Sequence, residues 1–166
     1  ARWPAEDTSP VEICDWLAQL YATHTPAPHR KTHGQFFTPP PIARFMAGLA
    51  DPLFGDARMV EPGAGAGVLI AAVAERLSRE RTCSRLRVTA YETEPALRPL
   101  QTLALGYLRH WLQKKDIRLE FEVNPEDFIL SNAHRLRPAP LLEPSPPDAG
   151  ADLIIANPPY FKIPGN

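Results

Sequence analysis

Hydrophobic positions along this chain alternate between two kinds of spacing. Spacings of three and four residues, which place side chains on one face of a helix, fill four stretches. They run from residue 10 to before 26, from 39 or 40 to 51, from the glycine-rich turn to about 77, and from 95 to about 114. Strand-like runs cover residues 57–61, 86–92, 118–123 and 152–156, the last of them fully apolar and of the buried type. Helices that alternate with strands predict an α/β fold with a doubly wound, mostly parallel sheet.

The first two helices have recognisable starts. Residues 8–12 offer a polar cap, a proline and an acid, in the order that favours a helix N-terminus. Thr38 is predicted to cap the second helix in the same way. The inner face of that second helix is predicted to consist of its large apolar residues, Ile42, Phe45, Met46 and Leu49.

The prolines mark the joints between these elements. The chain has 20 of them, and helices and central strands tolerate proline poorly. Residues 25–37 are therefore predicted to be a loop. Its basic cluster, residues 29–33, is predicted to be solvated, because a cluster of this kind is more often solvated than bound to phosphate. The proline-rich residues 138–148 are predicted to form an exposed loop.

Composition narrows the possible partners and compartments. The formal net charge is −1, so the chain as a whole lacks the positive charge that would indicate a nucleic-acid partner. The two cysteines, Cys14 and Cys83, form neither a disulfide framework nor a metal-ligand cluster. With no secretory signal and no apolar run long enough to cross a bilayer, we expect a cytoplasmic protein that contacts no membrane.

In parallel sheets ligands bind beyond the carboxyl ends of the strands, so those ends carry the candidate chemistry. The first strand runs into Glu61, Pro62, Gly63, Gly65 and Gly67, a turn in which a ligand can lie against bare backbone. The alternative is a tight turn without a ligand, but three alternating glycines exceed what a turn needs. The spacing differs from G-x-G-x-x-G, which disfavours a nicotinamide cofactor.

Acids follow the next two strands. Glu92 lies 25 residues after Gly67 and can accept hydrogen bonds from both hydroxyls of a ribose. Glu94 is better explained as an acid that begins the next helix. After the third strand, Asp127 can accept from an adenine amino group and Phe128 can pack on the ring. A helix cap and a core phenylalanine explain that pair equally well.

The fourth strand ends in the strongest signal, Asn157-Pro158-Pro159-Tyr160. The Asn157 amide oxygen and the Pro158 carbonyl can accept both protons of a planar amino group, and Tyr160 offers a face for stacking a base. The alternative is a strand ended by prolines with a surface tyrosine. Upstream, Thr38 could meet the carboxylate of an amino-acid moiety as well as cap its helix, and Phe36 or Phe37 could cover a cofactor.

These segments, in this order from Gly34 to Tyr160, resemble the gamma-type N6-adenine DNA methyltransferases of restriction-modification and phage-defence systems. The one departure is Glu61-Pro62-Gly63, where that family often has Asp-Pro-Ala. The resemblance implies a Rossmann-like class I fold, S-adenosylmethionine as cofactor, and methyl transfer to N6 of an adenine flipped out of double-stranded DNA. It assigns the cofactor to Thr38, 61–65, Glu92, Asp127 and Phe128, and the target base to 157–160.

The resemblance also implies an organisation. Residues 1–33 would be a helical extension and 34–166 the cofactor-binding and catalytic half of a methyltransferase domain. Further strands and a target-recognition domain would lie beyond residue 166, and the partner could be that missing part or a restriction or defence subunit. Three alternatives stay open: a protein glutamine-N5 methyltransferase, a ribosomal RNA methyltransferase, and a non-catalytic module that binds cofactor or DNA.

Overall fold

Four strands and six helices make up the part of the chain that the computed structural model describes, residues 4–5, 7–133 and 150–158. The strands are β1 (Gly55–Glu61), β2 (Cys83–Tyr91), β3 (Arg118–Asn124) and β4 (Leu153–Ile154). The helices are α1 (Pro10–His24), α2 (Ala27–Thr32), α3 (Pro40–Leu49), α4 (Val68–Glu80), α5 (Arg98–Gln113) and α6 (Phe128–Asn132). None of these helices is both long and apolar enough to span a bilayer.

The strands form one sheet in the order β3-β2-β1-β4, with every described pairing parallel. The chain winds outward from β1 in one direction through β2 and β3, and then returns to place β4 on the other side of β1. This confirms the predicted parallel, doubly wound α/β topology. The reversal between β1 and β4 is the place where such sheets bind ligands.

One face of the sheet is apolar and the other is charged. In register across the strands, Met59, Val88 and Phe121 lie on the apolar face. The helices α1, α4 and α5, which contact one another, cover that face and complete one hydrophobic core. Because α1 shares this core with the sheet, it is integral to the fold. The domain boundary at residues 33 and 34 stays a prediction.

The start of α1 follows its sequence signal. The Ser9 hydroxyl accepts from the Glu12 amide at 3.4 Å, and the Glu12 carboxylate accepts from the Ser9 amide at 3.4 Å. This reciprocal capping box satisfies two amide groups that the helix itself cannot. The helix ends at His24, before Pro26, as predicted.

The prediction of which face of α3 is buried is wrong. Ala43 and Ala47 are buried, whereas Ile42, Phe45 and Leu49 are at least half exposed. The helix packs on α4 through small residues, and Arg44 reaches Glu75 of α4 at 3.0 Å. Among the predicted residues Met46 alone packs against the core. The close approach of two helices selects alanines over the larger apolar residues.

The expected loop at 25–37 contains the helix α2. Pro26 is its N-cap and Pro28 lies in its first turn, a position where proline fits a helix. The strand expected at 152–156 is shorter, and Ile154 is 60% exposed although Ile155 is buried. On the apolar face of α5, Leu105 and Leu108 are buried. The proline-rich residues 138–148 lie outside the described part of the chain.

Candidate functional site

A cavity of about 530 Å³ opens at the carboxyl ends of the strands, beside the reversal between β1 and β4. Its volume falls within the range of small-molecule sites in proteins. The walls combine the strand ends with the segment 32–38 that precedes α3. The cavity is lined by the predicted site residues Thr38, Glu61, Gly63, Gly65, Glu92, Asp127 and Asn157.

The glycine-rich turn forms the floor of the cavity between β1 and α4. Gly63, Gly65 and Gly67 have φ values of 68°, 55° and 85°, in the left-handed region that favours glycine. The ring of Phe37 lies 3.5 Å from where a Cβ on Gly65 would stand. Phe37 therefore covers this turn closely, and the role predicted for Phe36 or Phe37 in covering the cofactor stays a prediction. Pro62 does not line the cavity.

Glu92 fastens the glycine-rich turn to the end of β2. Its Oε2 accepts from the Gly65 amide at 2.8 Å, and its Oε1 accepts from the Glu94 amide at 2.8 Å. Burial raises the pKa of Glu92, although the amides of Glu94 and Gly65 oppose this effect. Each carboxylate oxygen keeps a second lone pair, so the ribose role predicted for Glu92 remains compatible with this bonding.

Glu61 is a buried acid with an unused oxygen. It is 2% exposed, and its Oε2 has no hydrogen-bond partner among the described residues. Burial raises the pKa of Glu61 well above its usual value; the Ile70 amide opposes this, and the charge of Glu92 adds to it. Because Glu61 lines the cavity, its buried oxygen without a donor is suited to a cationic or hydrogen-bonding ligand group.

Hydrogen bonds hold the segment 34–38 over the cavity. The Tyr21 hydroxyl donates to Gln35 Oε1 at 2.9 Å, and Gln35 Nε2 donates to Glu94 Oε2 at 3.4 Å. His29 Nε2 lies 3.0 Å from the same Glu94 oxygen, and this contact lowers the pKa of Glu94. The Tyr21 ring meets Phe37 edge-on, with centroids 5.8 Å apart. We call the set Tyr21, His29, Gln35, Phe37 and Glu94 the latch.

The latch was missed by sequence reasoning, which placed His29 in a solvated loop and Glu94 at a helix start. The predicted helix start at Glu94 is wrong, because α5 begins at Arg98 with Leu97 as its N-cap; Glu94 Oε1 accepts from the Ala96 amide at 3.2 Å in the turn before the helix. The contact between His29 and Glu94 joins residues 65 positions apart in the chain. No local pattern encodes such a pair.

Replacing Glu94 with alanine is expected to loosen the segment 34–38, because both Gln35 and His29 lose their acceptor. Hydrogen bonds to charged groups stabilise by about 1.5–3 kcal/mol, so amides of this segment are expected to exchange with solvent deuterium about tenfold faster or more. Glu80→Ala, which removes the exposed ion pair with Arg76 on α4, is the control. Equal exchange rates in residues 34–38 of both variants would argue against the latch.

Asn157 and Thr38 meet at the edge of the cavity nearest β4. Asn157 Nδ2 donates to Thr38 Oγ1 at 2.9 Å, and Thr38 is 5% exposed. Thr38 does not cap α3, because the N-cap is Pro39 and no side chain bonds there; the predicted cap is wrong. Pro158 is exposed and does not line the cavity, while Pro159 and Tyr160 lie outside the described residues.

Of the two site residues predicted after β3, Asp127 lines the cavity and Phe128 does not. Asp127 lines the cavity, but its Oδ1 also accepts from the Ile129 and Leu130 amides at 2.9 Å, as the N-cap of α6. Phe128 packs edge-on against Tyr91, with centroids 5.1 Å apart, outside the cavity lining. The cap that the sequence left open for Asp127 is therefore present, and the contact of both residues with an adenine stays a prediction.

Residues 12–163 match the family model of the N-6 DNA methylases, which covers nearly the whole chain. The chain belongs to the N-6 DNA methylase family. This confirms the resemblance drawn from the sequence motifs, and the methyl donor of this family is S-adenosylmethionine, as predicted. No functionally curated protein matches the chain significantly.

Among solved structures, the chain is similar to a Listeria monocytogenes protein described as a class I S-adenosylmethionine-dependent methyltransferase. The TM-score is 0.58 at 15% sequence identity, with 96% of this chain and 42% of the other chain covered. At that identity the likeness establishes the fold, which is the predicted Rossmann-like class I fold. The chain spans less than half the length of this structural neighbour.

Proposed function

We propose that this protein transfers the methyl group of S-adenosylmethionine to N6 of an adenine in DNA, as part of restriction-modification or phage defence. One observation carries the proposal: Asn157 lines the same cavity as Glu61 and the glycine-rich turn. An acceptor for a planar amino group and a candidate cofactor site thus share one cavity. Double-stranded DNA is the proposed partner, and a cytoplasmic location stays a prediction.

The residues of the cavity fit S-adenosylmethionine. The unpartnered Oε2 of Glu61 suits the α-ammonium of the methionine moiety, and the backbone of the glycine-rich turn leaves room beside it. Glu92 would accept from the ribose hydroxyls and Asp127 from the adenine amino group. When bound, the sulfonium supplies the electrophilic methyl group. The protein's own residues then have to orient the acceptor nitrogen.

The target side of the site depends on hydrogen-bond acceptors. The Asn157 amide is held through its nitrogen, and its Oδ1 receives no hydrogen bond from any described residue. Asn157 Oδ1 and the Pro158 carbonyl would together accept both N6 protons. The nitrogen lone pair is then less conjugated with the base ring. Such a group is reached only if the adenine leaves the stack, and Tyr160 is the proposed platform for the flipped base.

Methyl transfer from tritiated S-adenosylmethionine tests the proposal, with the native protein incubated separately with DNA, ribosomal RNA and peptide release factor. We expect label in DNA alone, recovered as N6-methyladenine after digestion. Label in RNA or in a glutamine side chain would replace the DNA assignment with one of the competing enzyme classes. Binding of S-adenosylhomocysteine without transfer to any of the three would identify a non-catalytic module.

Cofactor binding is expected to release a proton in mildly acidic solution. Because burial raises the pKa of Glu61 and of Glu92, the free protein holds protons on these carboxyls at pH values above the usual pKa of a glutamate. An α-ammonium favours ionised Glu61, so affinity is expected to rise with pH through the window between the usual and the raised pKa. Below about pH 7 the cofactor amine itself stays charged.

Titration calorimetry with S-adenosylhomocysteine in two buffers of different ionisation enthalpy counts the released protons. We expect up to one proton from Glu61, and a smaller number in Glu61→Gln, where any remaining release belongs to Glu92. Identical heats in both buffers across the window would show that neither carboxyl changes protonation when the ligand binds.

A further inference from the structure

We propose that Thr38 is a positioning residue for methyl transfer, whose hydroxyl holds the Asn157 side chain with its amide oxygen facing the target. This inference rests on the proposed function. It differs from both roles that the sequence suggested for Thr38, the helix cap and the carboxylate contact. The structure carries it through one bond, from Asn157 Nδ2 to Thr38 Oγ1 at 2.9 Å.

A carboxamide needs such a restraint because its two ends are nearly the same shape. Its oxygen accepts hydrogen bonds and its nitrogen donates them, and rotation by 180° exchanges the two. With the nitrogen toward the target, donor would face donor and the adenine amino group would be repelled. A bond from Nδ2 to Thr38 leaves Oδ1 as the atom available to the target. Among the described residues no other side chain holds Asn157 by a hydrogen bond.

Thr38 is itself well fixed. It is buried, it follows directly on Phe37, which covers the glycine-rich turn, and it lies three residues after Gln35, which belongs to the latch. The same short segment therefore covers the cofactor side of the cavity and holds the acceptor on the target side. A shift of this segment would move Asn157 away from the position in which it meets the target nitrogen. This geometry links order in the segment 34–38 to the rate of methyl transfer.

Thr38→Val removes the hydroxyl and keeps the branched shape, and Thr38→Ser keeps the hydroxyl. In the native protein we expect Thr38→Val to lower kcat for DNA methylation about tenfold, since a misplaced catalytic group has a large effect on rate. The Kd for S-adenosylhomocysteine should stay within about twofold, and Thr38→Ser should recover most of the rate. In the Asn157→Ala background, Thr38→Val should have no further effect on kcat.

The alternative, direct contact of Thr38 with the cofactor carboxylate, gives a different pattern. The Kd of Thr38→Val would then rise, with or without Asn157, and that result would overturn the proposal. Nuclear magnetic resonance of the Asn157 side-chain amide, assigned by its loss in Asn157→Ala, supplies a readout independent of activity. We expect one amide proton to move upfield in Thr38→Val and to be restored in Thr38→Ser; unchanged shifts would also overturn the proposal.

These measurements distinguish a failure of the positioning role from a failure of the proposed function. A native protein that labels no DNA contradicts the proposed function, whereas the amide resonances and the binding constants still decide whether Thr38 holds Asn157. A native protein that labels DNA, with Thr38→Val as active as the wild type, contradicts only the positioning role.

Discussion

Replacing Asn157 with alanine is expected to slow DNA methylation strongly while cofactor binding persists. The variant loses the amide oxygen proposed to accept from N6, an interaction of most value as the methyl group moves. Removing one preorganised hydrogen-bonding group of this kind typically lowers kcat about 100- to 1,000-fold. Single-turnover methyl transfer to DNA measures the rate, and titration with S-adenosylhomocysteine measures binding in the same preparation.

Two further variants make the result specific. Gln113→Ala removes an exposed amide at the end of α5, outside the cavity lining, and should leave the rate unchanged. Asn157→Asp retains acceptor oxygens but cannot donate to Thr38, so we expect partial activity at best. If Asn157→Ala methylates DNA as fast as the wild type, the amide oxygen has no part in the transfer step.

The location of the site was predictable because it depends on topology. Carboxyl ends of parallel strands meet at one edge of a sheet, so residues that follow separate strands come together without any detailed knowledge of packing. Glu61, Glu92 and Asn157 were singled out for that reason, and all three line one cavity. The left-handed backbone of Gly63 and Gly65 likewise follows from their local sequence.

The missed features depend on how distant elements approach each other. The phase of α3 was wrong because Ala43 and Ala47 permit a close contact with α4 that hydrophobicity alone does not reveal. The prolines that follow Thr38 predict a helix cap, yet its hydrogen-bond partner Asn157 is 119 residues away. Local propensity limits what a side chain can do, and tertiary contact decides which of its options is used.

Replacing Glu61 with glutamine is expected to weaken S-adenosylhomocysteine binding and at the same time to stabilise the free protein. Glutamine keeps the shape and an acceptor but carries no charge, so the proposed pairing with the α-ammonium is weakened. Hydrogen bonds between charged groups contribute about 1.5–3 kcal/mol, which corresponds to a rise in Kd of roughly 10- to 100-fold. Isothermal titration at neutral pH measures this change.

The gain in stability follows from the same raised pKa. A carboxyl whose pKa is higher in the folded than in the unfolded state disfavours folding progressively as pH rises from the usual pKa to the raised one, and that unfavourable contribution persists above it. Removing the charge removes that penalty, so the Tm of the free protein at neutral pH should rise by about 2–4 °C, the shift that corresponds to 1 kcal/mol in a domain of this size. Differential scanning calorimetry without ligand gives the value.

Glu75 provides a matched control with the opposite expectation. It too is a buried glutamate, but its carboxylate is paired, with Arg44 Nε at 3.0 Å and the Val11 amide at 3.2 Å, and it does not line the cavity. Glu75→Gln should therefore lower the Tm and leave Kd unchanged, because the half-buried Arg44 loses its partner charge. If Glu61→Gln behaves like Glu75→Gln in both measurements, Glu61 serves the fold and the cofactor ammonium is held elsewhere.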